Sequence, residues 1–302
     1  MAPVATVLVP THDHSLTLGH AVASALGQTV SDLEVMIVGD GVPEATREVV
    51  GRLTAADERV RFLDNPKGAG NGELHRHAAL ADAKGRTVCY LADDDLWLPD
   101  HVETMASLLD EADFGAATTL RHRPGREPEV LVHDLKTELY RDLLLAGANK
   151  VPLSSGAHTM EMYRRLPHGW RPKPPGVPSD LHMWHQFLAE PSCHAASSAR
   201  PTVLNFPAPD RRGWSPEERA AELEGFLRSF SDPDWHAGFA REMVEVAVRA
   251  LAREWASGEG KRAKLEEARS VLARRKTQIE AREERIEQLK ERIRTLEEAR
   301  RR

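Results

Sequence analysis

The sequence predicts an α/β fold: a mixed sheet flanked by helices, followed by a C-terminal helical segment and a coiled coil. Over residues 1–120, short β-branched runs alternate with amphipathic stretches, as in a sheet covered by helices on both faces. Near the C-terminus, apolar side chains recur every seven residues, which is typical of coiled coils. Of the 302 residues, 41% are apolar and 29% are charged, which excludes a largely disordered chain.

The first 120 residues contain four strand patterns that alternate with three helix patterns. The predicted strands and helices are strands over 5–9, 33–38, 59–63 and 86–92, and helices over 16–26, 44–53 and 73–83. In sheets of this kind, ligands bind beyond the carboxyl ends of the strands. The residues that follow each strand are therefore the candidates for function.

The rest of the chain is less regular. It predicts a proline-rich loop over 169–179 and helices over 136–145, 180–188, 214–230 and 236–255. In the heptad region, one row is apolar throughout: Leu265, Leu272, Ile279, Ile286 and Ile293. The second row contains Arg275 and Arg282. We expect this segment to self-associate as a coiled coil, with a solvated single helix as the alternative.

Charge and cysteine content exclude several classes of protein. The net charge is −6, so nucleic acid is not expected as the main partner. Residues 259–302 differ from the rest, with 15 basic and 10 acidic side chains. Two cysteines form no disulfide framework, which indicates a reducing compartment. The sequence has no apolar run long enough for an integral membrane segment, and its first residues do not have the pattern of a signal peptide. We therefore expect a cytoplasmic protein.

Polar and charged residues follow each of the four strands. The first strand is followed by Pro10-Thr11-His12-Asp13, the second by Asp40 between two glycines, the third by Lys67 in a glycine-rich loop and the fourth by Asp93-Asp94-Asp95. Three consecutive carboxylates repel one another unless a cation holds them, and carboxylate oxygens suit Mg²⁺ or Mn²⁺ in contact with phosphate. The alternative is a solvated acidic turn before the next helix. Together these residues indicate a site for a nucleoside diphosphate.

The motifs VLVPTHDHS, LEVMIVGDG, NPKGAGNGELHRHAAL and TVCYLADDDLWLPD resemble, in this order, the N-terminal half of family 2 glycosyltransferases of GT-A fold. The resemblance covers about the first 120 residues, and it implies a nucleotide-sugar donor with Mn²⁺ or Mg²⁺ as cofactor. It implies the following site residues: Asp94 and Asp95 for the metal, and Pro10, Thr11, Asp13, Asp40, Lys67, Arg76 and Asp93 for the nucleotide. In this pattern Asp40 faces a uracil base, which favours a UDP-sugar. Gly39 and Ala92 depart from it, because many members have acids there.

The same resemblance implies that Asp180 is the general base, since the family places an Asp near the start of a helix about 80–100 residues after the metal motif. A carboxylate in the first turn of a helix is held ionised by the helix dipole. The alternative is an ordinary first-turn acid. Trp184, one turn further on, is a candidate for stacking on a sugar, with packing in the core as the alternative.

The resemblance implies inverting transfer of a sugar to an acceptor hydroxyl of a glycan or small molecule. We expect the chain to consist of a nucleotide-sugar-binding half (1–120), an acceptor-binding half (121–212), a helical extension (213–257) and a coiled coil (258–302). The heptad spacing predicts that the coiled coil forms a homo-oligomer. One alternative is a sugar-nucleotide pyrophosphorylase, which would require a glycine-rich loop after the first strand. The other is a non-catalytic scaffold whose coiled coil recruits partners.

Overall fold

The computed structural model describes residues 2–148 and 151–253, together with residues 258, 269, 270, 274, 277, 281, 282, 284–286, 289 and 290. The chain divides into two compact units, Met1–Val246 and Ala247–Arg302. In the second unit, every described residue is helical. Most of the expected coiled coil lies outside the described residues, and it stays a prediction.

The described part of the first unit contains one mixed sheet of nine strands. The strands are β1 (Ala5–Thr11), β2 (Leu33–Gly39), β3 (Val60–Leu63), β4 (Thr87–Tyr90), β5 (Leu96–Trp97), β6 (Phe114–Arg121), β7 (Glu129–Leu131), β8 (Gly156–Thr159) and β9 (Ala195–Asn205). Their order is β3-β2-β1-β4-β8-β6-β9-β5, with β7 paired to β6. Strands β1 to β4 are parallel, and β8 pairs antiparallel with both β4 and β6. The predicted α/β mixed sheet is confirmed.

The helices of this unit are α1 (Ser15–Leu26), α2 (Glu44–Ala56), α3 (Glu73–Ala81), α4 (His101–Leu108), α5 (Glu138–Leu145), α6 (Met160–Arg165), α7 (Ser179–Ala189) and α8 (Pro216–Ser229). Residues 233–246 are also helical. Within the described residues, no helix is both long enough and apolar enough to cross a lipid bilayer.

Alternating side chains of the parallel strands pack on opposite faces of the sheet. In β1, Val7 and Val9 contribute to the core under α1, whereas Leu8 contributes to the core on the other face. That second core contains Trp184, which is completely buried. Trp184 therefore packs in the core and is not available for stacking on a sugar.

A third apolar cluster attaches α8 to the end of the sheet. Leu223 of α8 packs with Phe206 and with Leu204 of β9, and Met243 and Val246 complete the cluster. The helix begins at Ser215 with a capping box, in which Ser215 and Glu218 each accept a hydrogen bond from the other's backbone N–H. This packing holds the N-terminal turn of α8 next to the residues that follow β4.

Candidate active site

The carboxyl ends of β1, β2 and β4 meet at one edge of the sheet and border a cavity of about 310 Å³, called here the strand-end cavity. All seven residues that the sequence suggested for nucleotide binding line it: Pro10, Thr11, Asp13, Asp40, Lys67, Arg76 and Asp93. They meet because parallel strands bring the ends of distant segments together. The structure thus places these residues together, and their role in binding stays a prediction.

Asp40 is held as a carboxylate at the wall of this cavity. The backbone N–H of Gly68 donates to Asp40 Oδ1 at 2.7 Å, and Lys67 Nζ forms an ion pair with Oδ2. Burial acts to raise the pKa of Asp40, but the hydrogen bonds from Lys67 and Gly68 outweigh burial and leave the pKa below its ordinary value. Gly41 permits this close approach: its φ is +65°, and a Cβ there would lie 2.7 Å from Lys67 Cβ.

Two buried polar atoms at the cavity have no hydrogen-bond partner among the described residues. They are Thr11 Oγ1 and Arg76 Nε. The Arg76 guanidinium lies over the ring of Trp170 at 4.7 Å, and its Nη2 donates to the carbonyl of Asn71 at 2.7 Å. A buried polar group without a partner costs roughly 1–3 kcal/mol. A bound ligand with oxygen and hydroxyl groups would satisfy both atoms.

The three consecutive acids, Asp93, Asp94 and Asp95, have different surroundings. Asp93 Oδ1 lies 2.8 Å from Nδ1 of His14, and Asp94 Oδ2 accepts a hydrogen bond from Arg219 Nη2 at 2.6 Å. The hydrogen bond to Asp93 raises the pKa of His14 to about 9. Burial, together with the charges of Asp95 and Asp93, raises the pKa of Asp94 to about 7. In this cluster three acids, Asp93, Asp94 and Asp95, thus lie near two basic side chains, His14 and Arg219.

His14, Asp93 and Asp94 could hold a metal ion. One ligand atom from each lies within 4.8 Å of the others. Two carboxylates and an imidazole are ligands that fit a divalent cation such as Mn²⁺.

Asp95 is fully enclosed and hydrogen-bonded to protein. Its oxygens accept hydrogen bonds from Ser154 Oγ at 2.5 Å, Asn205 Nδ2 at 3.0 Å and the Phe206 backbone N–H at 2.9 Å. These contacts connect the end of β4 to the end of β9. Asp95 was suggested with Asp94 as a metal ligand; the structure directs its oxygens to these donors and leaves it out of the group formed with His14.

Asp180 lies in the first turn of α7, as the sequence predicts. The preceding residue, Ser179, donates to Glu73 Oε1 at 2.7 Å and accepts from Asn71 Nδ2 at 2.9 Å. Asn71 lines the strand-end cavity, so these contacts hold the start of α7 beside it. Asp180 itself is half-buried and is not among the residues that line the cavity.

Comparison with known proteins identifies the fold and the family. The sequence model of glycosyl transferase family 2 matches residues 6–168, which is more than half of the chain. The chain belongs to glycosyl transferase family 2. The family is the one that the motifs resemble, and it is a family of glycosyltransferases.

Named relatives match the glycosyltransferase over short segments. It is 37% identical over 101 residues to the chondroitin synthase of Pasteurella multocida (strain Pm70), which covers 33% of this chain and 10% of the synthase. It is 29% identical over 106 residues to the UDP-Glc:alpha-D-GlcNAc-diphosphoundecaprenol beta-1,3-glucosyltransferase WfgD of Escherichia coli, which covers 34% of this chain and 40% of WfgD. The chain thus matches a tenth of the first relative's length and less than half of the second's.

Solved structures share the architecture. The crystal structure of S. aureus TarS 1-349 superposes with a TM-score of 0.55 at 15% identity, covering 76% of this chain and 72% of that one. TarS 1-349 in complex with UDP-GlcNAc gives a TM-score of 0.55 at 14% identity, covering 75% and 66%. At this identity the similarity shows the fold, and it confirms the GT-A fold of the glycosyltransferase.

Sequence reasoning did not single out His14, Arg219, Ser154 or Asn205. His14 carried a usable signal, because it follows Asp13 in the turn after β1 that was already considered a candidate site. The other three come from segments far along the chain from the acidic triplet, where no local pattern marks them. His158 is buried, and its Nε2 lies 2.7 Å from the Tyr90 hydroxyl in the core.

Proposed function

We propose that the glycosyltransferase is a metal-dependent, inverting enzyme that transfers a sugar from a nucleoside-diphosphate donor, a UDP-sugar by preference, to an acceptor hydroxyl. One observation carries the proposal: the strand-end cavity and the His14–Asp93–Asp94 group lie side by side and share His14 and Asp93. A nucleoside in the cavity would place its phosphates at the group of three ligands.

The nucleoside would be recognised by the walls of the strand-end cavity. Asp40 is an ionised acceptor that suits the single N3–H group of a uracil edge, and Lys67 beside it adds a cation. Thr11 Oγ1 and Arg76 Nε would gain partners from the donor's hydroxyl and oxygen groups. Asp13 lines the cavity beside His14, and Asp93 would contact both the nucleotide and the metal.

Mn²⁺ or Mg²⁺ would be held by Asp93 and Asp94 with His14, and the imidazole favours Mn²⁺. When bound, such an ion stabilises negative charge on the leaving diphosphate. For Asp95 we propose a supporting role, because its three donors fix the turn that carries the two ligands.

Asp180 is proposed as the general base. Its carboxylate takes the proton of the acceptor hydroxyl, whose oxygen forms a bond to the anomeric carbon of the donor. The bond between that carbon and the diphosphate oxygen breaks, and the diphosphate leaves with the electron pair. Displacement from the opposite face inverts the anomeric centre. The position of Asp180 in the first turn of α7, tied beside the cavity by Ser179, supports this role.

We further propose that the acceptor is a glycan or a small molecule, that residues 258–302 form a homo-oligomer and that the enzyme acts in the cytoplasm. The heptad spacing of the apolar residues supports the second statement. For the third, Cys89 and Cys193 are both free and buried, as expected in a reducing compartment.

The role of Asp180 is tested by separating turnover from binding. The variant Asp180→Asn should bind UDP as the wild type does and lose transfer or hydrolysis of the UDP-sugar by about 100- to 10,000-fold. Asp110→Asn is a matched control, because Asp110 is exposed and pairs with Arg86 outside the strand-end cavity. Equal turnover in Asp180→Asn and wild type would exclude Asp180 as the base.

A further inference from the structure

Helix α8 brings the Arg219 side chain next to Asp94, although the two residues are 125 positions apart in the sequence. Arg219 Nη2 lies 2.6 Å from Asp94 Oδ2, and the two side chains are only 16% and 18% exposed. Leu223 lies four residues after Arg219 and Phe226 three residues after Leu223, so the three share a helix face, and the two apolar side chains pack in the cluster with Phe206. On this helix face, Arg219 is the charged residue, and Leu223 and Phe226 are the apolar residues that pack against the sheet.

The helix that carries Arg219 is firmly attached. The Arg211 side chain is fully buried and pairs with Glu222 of α8 at 2.5 Å, and the capping box fixes the first turn. The helix is therefore held in place on both sides of Arg219, at Glu218 and at Glu222, while the Arg219 side chain borders a cavity. A residue on such a rigid element can change partners without any movement of the backbone.

That space is a second cavity, of about 480 Å³, between the start of α1 and the start of α8, called here the α8 cavity. Arg219 and Trp214 line it, and it shares Asp13 and His14 with the strand-end cavity. Asp40 and Lys67 line only the strand-end cavity. A ligand that extends from Asp40 past the shared residues would therefore reach Arg219 with the end farthest from its base.

The charges around the two cavities favour a cation at the end of the ligand farthest from its base. Asp13, Asp93 and Asp94 are acidic, Lys67 is paired with Asp40, and His14 is paired with Asp93. A nucleoside diphosphate would add further negative charge to this group. A guanidinium matches phosphate oxygens with two parallel N–H donors, and such charged hydrogen bonds are about twice as strong as neutral ones.

We infer that Arg219 binds the outer phosphate of the nucleotide donor and stabilises it as the leaving group. In this structure its partner is Asp94; with the donor bound, the guanidinium turns to the phosphate, and Asp94 is left to the divalent cation. This inference rests on the proposed function, because it assumes that a nucleoside diphosphate occupies the strand-end cavity. It assigns a substrate-binding role to a helix outside the segment that matches the family, residues 6–168.

The experiment compares UDP with UMP, which lacks the outer phosphate, by calorimetry on the full chain at one fixed Mn²⁺ concentration. In Arg219→Gln, the affinity for UDP should fall by about 10- to 100-fold, whereas the affinity for UMP should change by less than about threefold. Arg219→Lys keeps the charge without the planar pair of donors, so its affinity for UDP should be intermediate. Arg228→Gln is the matched control, since Arg228 is on the same helix, 71% exposed and paired with Glu224.

The possible results are distinct. Unchanged affinity for UDP in Arg219→Gln overturns the inference, because Arg219 then serves only as the partner of Asp94. Equal losses for UDP and UMP overturn it too, since the effect then comes through the fold of the site. If the wild type binds no nucleoside diphosphate, the proposed function itself fails, and this inference fails with it. Arg219→Lys decides the matter by the same comparison if Arg219→Gln does not fold.

Discussion

Replacement of Asp95 by alanine removes the acceptor of three hydrogen bonds in the interior of the protein. The hydroxyl of Ser154, the side-chain amide of Asn205 and the backbone N–H of Phe206 all donate to Asp95. Each buried donor without a partner costs roughly 1–3 kcal/mol. Removal of a buried carboxylate that lies beside two others offsets part of this loss. We therefore expect Asp95→Ala to lower the free energy of unfolding by about 3 kcal/mol.

For a unit of this size, about 3 kcal/mol corresponds to a decrease in Tm of roughly 6–12 °C. The assay is thermal unfolding followed by circular dichroism, with chemical denaturation as a second measurement. Asp94→Ala is the matched control: it loses the pair with Arg219 but also relieves repulsion, so its stability should stay within about 1 kcal/mol of wild type. Asp95→Asn retains one oxygen acceptor and should be intermediate.

An Asp95→Ala variant that unfolds at the wild-type temperature would refute this reasoning. If such a variant also lost Mn²⁺ binding, Asp95 would be a metal ligand, as the sequence motif suggested, and the hydrogen bonds from Ser154 and Asn205 would be of secondary importance.

Three further predictions concern the base site, the attachment of α8 and the C-terminal segment. Asp40→Asn should weaken UDP binding by about tenfold, measured by calorimetry, and leave Mn²⁺ binding intact, because it removes a charged acceptor at the nucleoside end only. Burial acts to raise the pKa of Glu222, but hydrogen bonds from His122 and Arg211 outweigh burial and leave this pKa below its ordinary value. Ionised Glu222 with these two partners therefore stabilises the fold at pH values above the ordinary Glu pKa of 4.5, and the stabilisation is lost as the pH falls through the lowered pKa. Glu222→Gln should therefore lower stability at pH 7 by about 3 kcal/mol and flatten the acid limb of a stability–pH curve; an unchanged limb would contradict this. A chain that ends at Gly258 should bind UDP but lose self-association, and light scattering that gives the same mass as for the full chain would refute the coiled-coil proposal.

The first half of the fold could be predicted because its signals are local. Strands β1 to β4 are short apolar runs between amphipathic helices, and their predicted positions differ from the observed ones by only one or two residues at most ends. The sequence gives no comparable signal for β8 (GAHT) or for the Ser- and Pro-containing β9, because small and polar residues form strands there only through pairing with β4 and β6. Strand β5 has two residues, too few for any periodicity.

The candidate site divides in the same way. Residues that follow parallel strands must meet at one edge, so the position of Asp40 near Asp93 follows from the strand pattern. The contacts of Asp94 with Arg219 and of Asp95 with Asn205 join segments more than 100 residues apart. Such contacts depend on how α8 and β9 pack, and nothing in the acidic motif itself indicates which acid contacts Arg219 and which contacts Asn205.

The proposed function requires that the strand-end cavity binds a nucleoside diphosphate together with a divalent cation held at Asp94. The most direct measurement is thermal stabilisation by UDP, GDP, dTDP and CMP, each with and without Mn²⁺, in wild type and in Asp94→Ala. We predict that UDP stabilises the wild type only when Mn²⁺ is present and that Asp94→Ala shows no such stabilisation. Equal stabilisation in Asp94→Ala, or none by any of the four nucleotides in wild type, would contradict the proposed donor site.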